Sequence, residues 1–89
     1  MISSTTRRFR KAYAKLPIHI QKSSQKAYRL WKENPYHPSL HFKQIHKKLP
    51  IYSVRIALAW RTVGIKQDDK MIWFWIGSHT DYDKLIASL

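Results

Sequence analysis

The sequence predicts a single α+β domain over residues 1–89: two N-terminal helices packed on a small twisted antiparallel sheet, with a short C-terminal helix. Three observations predict it. Apolar residues recur with a helical period through the first third of the chain, the period falls to two after a Pro-rich turn, and a helix-start signal follows the last apolar run.

Each element has its own signal. Phe9, Ala12, Tyr13 and Leu16 fall at i, i+3, i+4 and i+7, with Arg8, Lys11 and Lys15 outside that stripe. Pro17 closes this helix and is suited to be the first residue of the next. There Ile20, Ser24, Ala27 and Trp31 share a face, Lys22, Lys26, Arg29 and Lys32 cover much of the rest, and Asn34-Pro35 stops the helix. Beyond Pro35-Tyr36-His37-Pro38, residues Leu40–Lys47 read as an edge strand. In Ile51–Arg61, Tyr52, Val54, Ile56, Leu58 and Trp60 alternate with Ser53, Arg55, Ala57, Ala59 and Arg61, the pattern of one long strand that bends near Arg61 and continues through Thr62–Lys66. Gln67-Asp68-Asp69-Lys70 has hairpin-turn chemistry. Met71–Ile76 is apolar throughout, as a strand covered on both faces would be. Thr80 and Asp83 resemble a capping box for a last helix on which Tyr82, Leu85, Ile86 and Leu89 share a face. Ile2–Thr5 is a further candidate for an edge strand.

The core is aromatic-rich, with four Trp, five Tyr and three Phe, which suits a short chain because each ring buries roughly 150–250 Å². No cysteine is present, which excludes a disulfide framework and a Cys-based zinc site. No run of about 18 apolar residues exists to predict a membrane span. The segment MISSTTRRFRKAYAK lacks the apolar stretch of a signal peptide, so the expected compartment is the cytoplasm.

Seventeen Lys and Arg against five Asp and Glu give a net charge of +12. The excess is uneven: residues 1–48 hold twelve basic side chains and one acid, Glu33, whereas residues 49–89 hold five and four. Self-repulsion of this size opposes folding, so such a field usually serves a polyanion, whether nucleic acid, an anionic membrane or an acidic protein, with RNA the leading expectation and merely solvated charge the ordinary alternative.

Cutting RNA requires a group to take the 2′-OH proton, one to neutralise the developing phosphorane and one to protonate the 5′-oxygen. Arg55 and Arg61 suit the second role because guanidinium meets phosphate bidentately. His79, at the end of the apolar strand, suits proton transfer; a surface or capping histidine is the ordinary alternative. Strict alternation places His41, Lys43 and Lys47 on one face of their strand and His46 on the other; Lys48 extends the basic run. Tyr82 can donate to phosphate or stack on a base, but it also lies on the apolar face of its helix. No carboxylate near His37, His41 and His46 supports a metal site, and no cofactor is expected. The strand face opposite the large apolar set, with Ala57 and Ala59 between Arg55 and Arg61, would form a basic floor, and Glu33, Asp68, Asp69, Asp81 and Asp83 all fall outside it.

These residues resemble the RelE/ParE superfamily of toxins from bacterial type II toxin–antitoxin systems. The resemblance is carried by Phe9-Arg10-Lys11-Ala12-Tyr13-Ala14-Lys15-Leu16-Pro17, Asn34-Pro35-Tyr36-His37-Pro38-Ser39-Leu40, Phe42-Lys43, Tyr52-Ser53-Val54-Arg55-Ile56, Trp60-Arg61, and Trp73 through Asp83. It runs over nearly the whole chain, from about residue 7 to 86. It implies a RelE-like fold and, in the RelE-type branch, a ribosome-dependent endoribonuclease that cleaves mRNA without metal. An acidic antitoxin is the implied partner, together with ribosome and mRNA; operator DNA is reached only through the antitoxin complex, and no membrane is involved. By position Arg55 and Arg61 match the family's phosphate-binding arginines, Lys43 a basic residue before them, and His79 a proton-transfer histidine. Lys43, Lys47, Lys48, His41 and Tyr82 are the implied RNA contacts. Two departures stand out: the sheet carries no carboxylate base, and the His79 segment runs on into a helix. They leave open a ParE-type DNA gyrase inhibitor, or a non-toxic relative that binds antitoxin and operator.

Overall fold

In the structure, a computed structural model covering residues 1–89, the Thr6 hydroxyl accepts the Phe9 amide at 3.1 Å and opens helix α1 (Arg7–Ala14). Pro17 stands just ahead of α2 (Ile18–Glu33) rather than inside it, its carbonyl accepting from both Ile20 and Gln21. The face read from the sequence is the buried one: Ile20, Ala27 and Trp31 all lie under the helix. No helix is long and apolar enough to cross a membrane.

The sheet has five strands, β1 (Ile2–Thr5), β2 (Lys43–Gln44), β3 (Ile51–Ala57), β4 (Trp60–Gln67) and β5 (Lys70–Ser78), in the order β1-β5-β4-β3-β2. It is mixed rather than wholly antiparallel: β1 runs parallel to β5, with Ile2 beside Lys70 and Thr5 beside Trp73. Helix α3 (His79–Ser88) follows β5 directly.

Three segments depart from the sequence expectation. The region expected as an edge strand over Leu40–Lys47 is mostly irregular. A 3₁₀ turn at Pro38–Leu40 buries Leu40, His41 adopts a left-handed conformation (φ 47°), and only Lys43–Gln44 pair with β3. Side chains hold this path: His37 Nδ1 accepts the Ser39 amide, and His46 Nδ1 accepts those of Lys48 and Leu49 at 3.0 and 2.9 Å. The expected long strand Ile51–Arg61 is instead a hairpin, folded at Leu58-Ala59, with Leu58 79% exposed at the tip. No Gly, Pro, Asn or Asp marks that turn. Its carbonyls are gathered by the Arg61 guanidinium, which donates to those of Ala57, Leu58 and Trp60 at 3.0, 3.2 and 2.9 Å. Finally, the cap of α3 is Ser78, whose hydroxyl accepts the Asp81 amide, so the helix starts one residue ahead of Thr80.

The turn between β4 and β5 falls where expected, with Asp68 in the left-handed region (φ 54°). Along β5 the register shifts between Val63 and Gly64, so Phe74 is an extra residue and the strand changes sides. Met71, Trp73 and Ile76 consequently face the helices, while Phe74 and Trp75 face α3. On the helix side Trp31 is the centre, meeting Phe42 and Trp73 edge-on at 5.9 and 5.2 Å between centroids. On the opposite side Tyr82 packs with Ile51 and Val63, backed by Leu85 and Trp75. Helix α3 thus covers the second face over its lower part and leaves uncovered the end next to the β3–β4 hairpin.

Candidate nucleic-acid interface

The hairpin decides the site. Arg55 on β3 and Arg61 on β4 are direct cross-strand partners, and Arg61 is paired in turn with Gly77 on β5. On one long strand, six residues apart, the two arginines would stand about 20 Å from each other. As cross-strand partners their Cα atoms approach to about 5 Å. Continuing the row outward, His41 Nε2 lies 3.5 Å from an Arg55 guanidinium nitrogen, the outer limit of a hydrogen bond. Gly77 contributes no side chain; a Cβ there would lie 2.8 Å from the Trp75 ring, so the floor beyond Arg61 stays flat.

Placing like charges directly opposite each other destabilises a sheet. Here neither arginine has a carboxylate within ion-pair distance, and the single ion pair of the chain is His79–Asp83. The Arg61 pKa is lowered, first by burial and then by Arg55, with Tyr82 and Asp83 opposing. An anion lying across the pair would remove the repulsive part. Arg61 is also fixed, since its three carbonyl bonds leave it little freedom to follow a ligand. Chemically this is a double cation with no carboxylate within ion-pair distance, its Arg61 half fixed and partly desolvated, suited to one phosphate.

His79 is the first residue of α3, and its amide donates to the Ala59 carbonyl at 2.7 Å, tying the helix start to the hairpin tip. Its Nδ1 lies 3.3 Å from Asp83 Oδ2, and its ring rests beside Tyr82 at 5.9 Å. Half of the side chain, 47%, faces solvent. Lys43 pairs with Ser53 and so shares the face of Arg55, one step diagonally away.

Of the residues singled out in the sequence, the structure therefore groups Arg55, Arg61, His41, Lys43 and His79 at the hairpin end. It does not bring Lys47 and Lys48 there. They follow β2 in an exposed loop near Ile51, about 13 Å along β3 from Arg55. Tyr82 is 5% exposed and its phenol donates to Ser53 Oγ at 3.0 Å, so the ring is held in the core and offers no stacking surface. Ala59, expected within the strand on the face of Arg55 and Arg61, lies in the turn. Two residues escaped the sequence reading. Asp83 was legible as the i+4 partner of His79 on a helix. Lys26 was not, since only folding puts it with Arg55 on the lining of one cleft of about 370 Å³, walled also by Leu30, Leu40 and Leu58.

The profile of the ParE-like toxin domain matches residues 18–84, a span that takes in Arg55, Arg61, His79 and Asp83. Among solved structures, the RelB–RelE antitoxin–toxin complex from Methanococcus jannaschii is similar at a TM-score of 0.73 and 16% identity, over 91% of this chain and 95% of that one. A copper-bound mutant toxin from Helicobacter pylori is similar at 0.62 and 18%, over 91% and 97%. None of the curated proteins compared with the chain matches it. At such identities the structural likeness speaks for the fold, and the profile, which covers most of the sequence, speaks for the family. The chain belongs to the ParE-like toxin domain family, within the RelE/ParE superfamily of toxins.

Proposed function

We propose that this toxin is a ribosome-dependent endoribonuclease that cleaves mRNA and arrests translation, and that an acidic cognate antitoxin restrains it. The observation that carries the reading is the uncompensated Arg55–Arg61 pair with a histidine at either end, His41 at 3.5 Å from Arg55 and His79 where β5 passes into α3. Arg55 and Arg61 hold the scissile phosphate and take up the charge of the phosphorane. The 2′-oxygen attacks phosphorus, the bond to the 5′-oxygen breaks, and the products are a 2′,3′-cyclic phosphate and a 5′-hydroxyl. One proton leaves the 2′-OH and one reaches the 5′-oxygen. His79 serves one of these transfers, and Lys43, on the same face, lowers the cost of charge at the 2′-oxygen. These steps need side chains alone, so no protein-bound metal ion is called for in the chemistry.

Charge supports the wider contacts. The cations of α1 and α2, including Arg8, Lys11, Lys22, Lys26 and Arg29, make no ion pair within the chain and suit ribosomal RNA phosphates. The same surplus suits an acidic antitoxin, and one similar structure is itself an antitoxin–toxin complex. The family match also keeps a second reading in play, inhibition of DNA gyrase as in ParE-type toxins, which would use no catalytic histidine.

Induced expression with primer extension on a reporter mRNA separates them. New ribosome-dependent cuts that disappear in Arg55→Ala and His79→Ala are expected. Growth arrest with intact mRNA, in the wild type and both variants alike, would sink the ribonuclease reading and direct the assay to gyrase.

A further inference from the structure

The acids of this chain are few, and only one of them reaches another titratable side chain. Asp83 stands one helical turn beyond His79 on α3, with Oδ2 3.3 Å from the imidazole Nδ1. The arrangement follows from how the helix begins. Because Ser78 rather than Thr80 is the cap, His79 occupies the first helical position and the i+4 carboxylate falls beneath its ring. The His79 amide is anchored to the Ala59 carbonyl, and the ring is flanked by Tyr82, whose phenol is tied to Ser53. Backbone and ring face are held and Nδ1 lies within ion-pair distance of Asp83, while Nε2 has no partner within the chain. From β4 and β3 the charges nearest this site are Arg61 and Arg55, and Asp83 makes an ion pair with neither. The carboxylate thus sits closest to the histidine; it acts on Arg61 only from beyond ion-pair distance.

We infer that Asp83 is a positioning residue: it holds the proton of neutral His79 on Nδ1 and so presents Nε2, with its lone pair, for proton transfer at the Arg55–Arg61 site. Nδ1–H donates to the carboxylate, which fixes both tautomer and ring orientation, the role a buried aspartate plays behind the histidine of a serine-hydrolase triad. The sequence shows no carboxylate base on the sheet, and none is required. The acid acts through the histidine and touches no substrate. The kinetic part of this inference rests on the ribonuclease reading; the tautomer does not.

The test uses the full chain with ring-¹⁵N-labelled histidine. In the wild type the His79 nitrogen shifts should report Nδ1–H as the dominant neutral tautomer. In Asp83→Ala the balance should move toward Nε2–H, the ordinary preference of a free imidazole. Asp83→Glu, which can still reach one turn back, should restore it in part. Asp81→Ala removes an equivalent first-turn charge without touching His79 and should leave the tautomer unchanged. In cleavage assays Asp83→Ala should lower kcat about tenfold or more with KM nearly constant. Unchanged ring shifts in Asp83→Ala, or the same change in Asp81→Ala, would overturn the inference. A wild type that fails to cut would instead overturn the ribonuclease reading, and the ring shifts would still decide the role of Asp83.

Discussion

Replacing Tyr82 by Phe asks whether this ring serves the core or the RNA. The phenol donates to Ser53 Oγ at 3.0 Å, and both residues are sealed, at 5% and 1% exposure. A hydrogen bond of this kind contributes roughly 0.5–1.5 kcal/mol, but removing one partner strands the other, which costs about 1–3 kcal/mol. No other partner for the Ser53 hydroxyl exists in the chain, so Tyr82→Phe should destabilise the fold by about 1–2 kcal/mol. In a domain of this size that lowers Tm by about 4–8 °C per kcal/mol. Ser53→Ala alone should cost a similar amount. The double variant should recover much of the loss, because two apolar groups then meet where two polar ones did, and the cycle should show a coupling of about 1 kcal/mol. Urea or thermal unfolding gives the stabilities, and cleavage of a reporter mRNA below the lowered Tm gives the activity, which should stay within about twofold of wild type. Additive losses in the cycle, or a Tm unchanged while cleavage collapses, would refute the packing role and return Tyr82 to the substrate side.

Arg55→Ala should abolish cleavage by about a hundredfold or more while leaving Tm equal or slightly higher, since it removes a like charge set opposite Arg61; a clear fall in Tm would show that the doublet is compensated. Gly77→Ala should destabilise by about 1–3 kcal/mol, because the new Cβ meets the Trp75 ring at 2.8 Å and pushes it toward Tyr82, as thermal unfolding would report. Binding to a single-stranded RNA should weaken with salt at a log–log slope of about −4 if six phosphates are neutralised, and Arg55→Ala should make the slope shallower by about 0.7, measured by fluorescence anisotropy.

How much could be seen in the sequence varied with the kind of force at work. The core-facing stripes of α1 and α2, the turn after Gln67 and the apolar β5 were legible because each is written in local periodicity or turn chemistry. The β3–β4 hairpin was not. Its alternation runs straight through Leu58-Ala59, and the turn is held by Arg61, which is not a turn-forming residue type, and by the amide of His79, twenty residues on. The strand expected over Leu40–Lys47 failed for a related reason, as His37 and His46 bond their own backbone and divert the chain. The site shows the same division. Arg55 and Arg61 were identified by chemistry, but their juxtaposition came from a fold the pattern concealed. His79 was visible and Asp83 was passed over, because the cap was read two residues too late.

The parallel pairing of β1 with β5 bears on the order in which this chain folds. Strands β3, β4 and β5 join through short turns, so loop closure there costs little and the meander can form on its own. The arginine pair is complete at that stage. Pairing Ile2 with Lys70 instead closes a loop of most of the chain, with α1 and α2 between those residues. Strand β1, one of the two edges of the sheet, is then expected to dock after the meander and to open before it. Amide hydrogens of Ser3 to Thr5 should exchange with solvent well before those of Val63 or Trp73, so the toxin can loosen one edge without disturbing the pair that carries its charge.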